Sequence, residues 1–206
     1  MTARRRMVLV WGQHLLLLAG CSALGYCAIA IADATRYQAW ARDQMRKAGL
    51  ASAEIATNRS SADISQPAPL RLGSGMDLVG RIDVPRLHIS AMVVEGTSSR
   101  ILRVAVGHIP GTALPGQAGN VALAAHRDTF FRHLGELKSG DLIRVTVPGG
   151  QYLYSVKFTD VVRPNETWVV EPSTGQLLTL VTCYPFHYVG PAPERFVVRA
   201  RRLPGD

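Results

Sequence analysis

Cysteine is scarce in this sequence: there are three in 206 residues, and Cys21 and Cys27 both fall in an N-terminal apolar run, leaving Cys183 alone in the remainder. A disulfide framework is therefore excluded, and Cys183 is expected as a free thiol. No compact acidic cluster is present, so neither a metal nor any other cofactor is expected. No internal repeat occurs, which excludes solenoid and propeller architectures. Clustered basic side chains are also missing. The formal net charge is +8, yet beyond Arg4-Arg5-Arg6 the Lys and Arg residues are dispersed, and Arg199, Arg201 and Arg202 alternate along a late strand-like segment. Such a distribution does not track a phosphate backbone, and no nucleic-acid partner is expected.

Charge is wholly absent from Met7 to Ile31, a stretch that includes Leu15-Leu16-Leu17-Leu18. A bilayer core needs roughly 20 apolar residues, so a transmembrane helix is expected that contacts membrane lipid. A cleaved secretory signal is the competing reading, since Ala28-Ile29-Ala30 resembles a cleavage site, but the run exceeds the roughly 7–15 residues of a signal core. The arginine triplet before the span should stay in the cytoplasm, which sends the rest of the chain outward across the cell membrane. Residues 1–6 are thus read as a basic cytoplasmic tail, 7–31 as the anchor, 32–75 as stalk and linker, and 76–206 as a separate folded domain. Asp33 to Ala56 suits a helix or stalk, with Trp40 available to an interface. Ser60-Ser61 and Pro67-Ala68-Pro69 have the composition of a linker.

From Met76 onward, short apolar or alternating runs are broken by Gly and Pro, the pattern of a β-rich domain. Strands are expected at Leu78–Ile82, Leu87–Val94, Val121–Ala125, Leu142–Val147, Gln151–Phe158, Thr167–Val170, Leu177–Thr182 and Phe196–Arg201. Pro148-Gly149-Gly150 marks a hairpin. Ser99–Val106 has helical spacing, and Thr129–Leu137 reads as one or two helical turns. Antiparallel sheets of this size avoid exposed edges by closing, so a mainly β, closed barrel with short helices is expected.

Thr179-Leu180-Val181-Thr182-Cys183 sets the cysteine at a strand end, just before Tyr184-Pro185-Phe186 turns the chain. A thiol at its ordinary pKa is only a few per cent thiolate at neutral pH, so a nucleophile there needs a partner. His88, His108, His126, His133 and His187 are the candidates. His126 is best placed because it follows an apolar strand; His108 and His133 suit structural roles better. Arg195 opens the next strand, and the sheet can return it to the cysteine, where a permanently charged guanidinium would hold an oxyanion. Thr182 offers either a substrate-binding hydroxyl or packing.

These residues resemble the sortase family. Thr179 to Cys183 matches a T-L-x-T-C signature, Val121 to Asp128 is similar to the strand ending in that family's catalytic histidine, and Cys183 to Phe196 looks most like class D or class E. The resemblance covers about Leu78 to Leu203. One departure is Ala125, where many relatives have glycine, which adds a methyl beside the histidine. The resemblance implies an eight-stranded barrel in which Cys183 is nucleophile, His126 general acid/base and Arg195 the oxyanion holder. It implies as substrate an exported protein with a C-terminal LPxTG-like sorting motif, and as acceptor an amine on cell wall or pilin. Specificity is expected around Leu87–Glu95 and Val162–Val170. A cysteine peptidase that hydrolyses the same acyl-enzyme and a non-catalytic anchored binding module are the alternatives.

Overall fold

The computed structural model describes residues 3–57, 69–71, 76–188 and 190–204. Ser60-Ser61 and Pro67-Ala68, expected as linker, lie outside the described residues. The first element, α1, is a single helix over Ala3–Thr57. No proline precedes residue 67, so nothing in the sequence breaks it. Its first half is bare: Leu16, Leu24 and Ile29 are all more than 70% exposed, and an 18-residue window there has a mean hydropathy of 2.2. A helix apolar all round with no protein against it suits a lipid environment.

The second half of α1, expected as a helix or stalk, is helical and also packs on the folded domain. Gln38 and Ala41 are buried, and Ala41, with Tyr37 and Met45, packs on Leu78, Met92, Val94, Ile101 and Val104. Gln38 fastens the contact at both ends of its amide. Nε2 donates to Val104 O at 2.8 Å, and Oε1 accepts from Met92 N at 2.8 Å. Those two backbone groups would otherwise be buried without partners, at about 1–3 kcal/mol each.

Eight strands form the domain: β1 Leu78–Val84, β2 Ile89–Glu95, β3 Val106–His108, β4 Gly119–Ala124, β5 Leu142–Val147, β6 Gly150–Val162, β7 Gln176–Tyr184 and β8 Glu194–Arg202, with a short helix α2 over Ser99–Val104. They close in the order β1-β2-β3-β4-β7-β8-β6-β5. Pairings β2/β3 and β4/β7 are parallel and the rest antiparallel. Alternation sends Ile82, Val93, Leu123, Ile143, Leu178, Leu180 and Val198 into the barrel, each at most 1% exposed. Every such side chain contributes about 1.5–3 kcal/mol by leaving water.

Two expectations about strands change. Thr167–Val170 is a 3-10 turn whose Val169 packs on Val162 and Val197, so its β-branched run is buried without joining the ladder. Val106, expected as the last residue of the helix, instead opens β3, Val106–His108, which pairs with both β2 and β4. The Thr129–Leu137 segment contains one 3-10 turn at Leu134–Glu136.

Candidate active site

Strand register builds the site. Cys183 on β7 and Arg195 on β8 are directly opposite each other. On the other side of β7, Ala124 of β4 is level with Val181, and continuing that parallel register by two residues brings His126 level with Cys183. Neighbouring strands are about 4.8 Å apart, so extending the line of β4 by two residues sets His126, just past the strand end, beside Cys183 of β7, with Arg195 of β8 on the other side. Side-chain alternation puts all three on the same face. Val121, Leu123 and Ala125 point into the barrel, as do Leu178 and Leu180 and as do Phe196 and Val198. His126, Cys183 and Arg195 are therefore on the outer surface, and each is half-buried.

The T-L-x-T-C run acquires a physical account. Thr179 Oγ1 donates to Asn120 Oδ1 at 2.6 Å, while Asn120 Nδ2 donates to Val169 O and Glu171 O. That chain of bonds fastens the 167–171 segment over the outer face of β4 and β7, where Val169 and Val170 pack with Val181 and Val197. The segment thus covers Val181 and Val197, each two residues along its strand from Cys183 or Arg195. Thr182 points inward, is 2% exposed, and its Oγ1 donates to Ala125 O at 2.7 Å. Its expected role as a substrate-binding hydroxyl is therefore corrected: the hydroxyl's proton is given to the β4 backbone, and the bond holds the residue before His126 against the residue before Cys183. The Ala125 methyl, expected beside the site, is also in the barrel core.

Arg195 Nη1 donates to Ala192 O at 3.2 Å and Glu194 O at 2.8 Å. Its Nε and Nη2 have no hydrogen-bond acceptor among the described residues, so this face of the guanidinium retains donors for an incoming oxygen. No hydrogen bond joins Cys183 to His126 among the described residues.

The remaining histidines are accounted for otherwise. His108 is 1% exposed, with Nδ1 2.6 Å from Glu95 Oε2 and Nε2 3.0 Å from Ala113 O. His133 pairs with Glu136 at 2.8 Å on the surface. His88 is exposed in the turn between β1 and β2 at φ 52°, and His187 is exposed after the Cys183 turn. Of the two segments expected to set specificity, Val162–Val170 borders the Cys183 face, whereas Leu87–Glu95 includes β2, four strands from β8 around the ring.

Two features were not foreseen. A cleft of about 440 Å³ separates Ala30, Ile31 and Ala34 of α1 from His126, Asp128 and Phe130. Arg127, next to the histidine, reaches across to the β7–β8 loop, donating to Pro185 O at 3.0 Å and Tyr188 O at 2.7 Å. A lone arginine in a polar stretch carries no pattern that announces such a contact. Among the described residues, no three His, Cys, Asp or Glu side chains converge as a metal ion requires.

Comparison with known proteins gives a consistent result. The family model for the sortase domain matches residues 82–203. Sortase D of Bacillus subtilis is 35% identical over 125 residues, which cover 60% of this chain and 63% of that protein. The chain thus matches somewhat under two thirds of that relative's length. Among solved structures, sortase C-1 from Actinomyces oris superposes with a TM-score of 0.58 at 29% identity, covering 79% of this chain and 99% of that one. A Clostridium perfringens sortase D5 transpeptidase superposes with a TM-score of 0.58 at 27% identity, covering 62% and 80%.

Proposed function

The chain belongs to the sortase family, with class D supported, and from that premise we propose that it is a membrane-anchored cysteine transpeptidase. It cleaves an LPxTG-like sorting motif near the C-terminus of exported proteins and passes the acyl fragment to an amine of cell-wall peptide or a pilin lysine. The observation that carries the reading is that Cys183 and Arg195 are opposite each other on β7 and β8, with His126 two residues past the end of β4, the strand on the other side of β7.

In this mechanism the Cys183 thiolate attacks the threonine carbonyl carbon of the motif, forming the C–S bond while the carbonyl oxygen takes the negative charge. Arg195 holds that oxygen through the donors its loop contacts leave over. As the tetrahedral adduct collapses, the C–N bond breaks and the imidazolium of His126 gives its proton to the departing amine. The thioester keeps the acyl group activated until a second amine attacks. Neutral His126 then takes the proton of that amine, the new amide forms, and the thiolate leaves.

The single N-terminal apolar helix is compatible with the anchor this reading needs. Residues 7–31 would span the cell membrane with residues 1–6 inside, the continuation of α1 would act as a stalk, and residues 76–206 would form the catalytic domain outside. The test is incubation of the full chain with LPxTG-like peptides and amine acceptors, followed by mass spectrometry, beside Cys183→Ala, His126→Ala and Arg195→Ala. An amine-transfer product lost in all three variants supports the assignment. Cleavage without transfer overturns it in favour of a peptidase, and an inert thiol with no acyl-enzyme overturns it in favour of a binding module.

A further inference from the structure

The loop between β7 and β8, residues 185–193, starts two residues after the nucleophile and ends two before Arg195. Among the described residues, the backbone hydrogen bond within it is Tyr188 N to Pro185 O, at 3.4 Å. Side chains supply the rest, and they are arginines. Arg195 takes the second half through Ala192 O, and Arg127 takes the first half. Arg127 Nη1 donates to Pro185 O at 3.0 Å, Nη2 donates to Tyr188 O at 2.7 Å and Gly190 O at 3.2 Å, and the guanidinium carbon is 5.9 Å from the centre of the Tyr188 ring. One planar fork thus gathers three carbonyls spread over six residues. A lysine, with a compact ammonium on a flexible stem, does not reproduce that geometry.

Arg127 is bonded covalently to the residue after which the site is built: His126 precedes it directly. Its partners are on the loop that joins Cys183 to Arg195. No carboxylate pairs with it among the described residues, so its charge is directed at backbone oxygens. Charge-assisted bonds of this kind are roughly twice as strong as neutral ones. We infer that Arg127 is a positioning residue, a latch that holds the β7–β8 loop closed against the His126 loop beside Cys183 and so, on the transpeptidase reading, governs how well the sorting peptide is captured. It does not touch the reacting atoms. Its removal lets the first half of the loop swing away from Cys183, and peptide capture suffers before the chemical step does.

The transpeptidase reading is needed for only one of two readouts, which keeps the failures separable. The first is hydrogen exchange at the amides of Phe186, His187, Tyr188 and Gly190 in the full-length protein in detergent, which needs no activity. Arg127→Ala should speed exchange at these amides by about tenfold or more, with β7 and β8 amides unchanged. The second is steady-state kinetics on a peptide that the parent protein processes. Here KM should rise about tenfold while kcat changes by less than about threefold. Arg127→Lys should fall between, and free guanidinium, far below denaturing levels, should slow exchange again in Arg127→Ala but not in the parent. If Arg127→Ala does not fold, the same amides in Arg127→Lys carry the test. Unchanged loop exchange in a folded variant overturns the latch, and so does a fall in kcat with KM unmoved. If the parent processes no peptide, the transpeptidase reading has failed while the exchange result still decides the latch.

Discussion

The barrel offers its outer surface to two very different uses. On β2 and its neighbours, α1 lies flat, Ala41 lets the backbones approach, and Gln38 closes both buried backbone groups within reach. Three and four strands around the ring, the face bearing Cys183 on β7 and Arg195 on β8 is left open, with half-buried polar side chains and guanidinium donors that have no acceptor among the described residues. Apolar burial and backbone pairing mark the first face, where the Tyr37 hydroxyl is nevertheless buried without a hydrogen-bond partner among the described residues. The second face instead keeps polar donors accessible, as a chemical site requires.

That contrast is broken most forcefully at the open face. Cys183→Ala should abolish acyl-enzyme formation, a loss of about a thousandfold or more by intact-protein mass spectrometry, with the unfolding midpoint unmoved. Gln38→Ala should do the reverse. It orphans two buried backbone groups and should cost about 2 kcal/mol in denaturant unfolding while leaving turnover in place. Thr182→Val sharpens the boundary, because its hydroxyl belongs to the scaffold yet ties the residues that precede His126 and Cys183. A stability loss of about 1 kcal/mol together with a several-fold drop in kcat/KM is expected.

The remaining effects are pH limbs away from both faces. Arg86 donates to both carboxylate oxygens of Asp141 and also to Glu136 O. The hydrogen bond from Arg86 holds the Asp141 carboxyl below its ordinary value of 3.8. The folded protein therefore binds that proton more weakly than the unfolded chain. The contribution is present above the ordinary value and is lost as pH falls through the folded one, so Asp141→Asn should flatten the acid limb of a melting-temperature profile. At the alkaline end, burial pushes Tyr154 up to about 12 from 10.0. Its contribution is present below the ordinary value and is lost as pH rises toward 12, and Tyr154→Phe should flatten that limb.

Local signals carried much of this architecture. Alternation between Gly and Pro breaks marked β1, β2, β4 to β6, β7 and β8, and Cys183 before Tyr184-Pro185 announced a strand end. What escaped was non-local. Val106–His108 is too short to show a period, and it is a strand only because β2 and β4 flank it. Thr167–Val170 has strand composition, but Asn120 draws it over the sheet instead. The row His126, Cys183 and Arg195 was inferred from residue type and family likeness; the register that aligns it depends on a parallel pairing between strands more than 50 residues apart in the chain. Gln38 and Arg127 were invisible because each acts on backbone groups that no side-chain pattern encodes.

The unbroken course of α1 has a mechanical consequence. If residues 7–31 span the bilayer as proposed, Gln38 is only seven residues beyond the span, about 10 Å along a helix rising 1.5 Å per residue. The docked helix would then hold the barrel close to the membrane at a fixed height. A substrate tethered to the same membrane would meet Cys183 by a two-dimensional search, where tethering raises its effective concentration, while a peptide free in solution would have no such advantage.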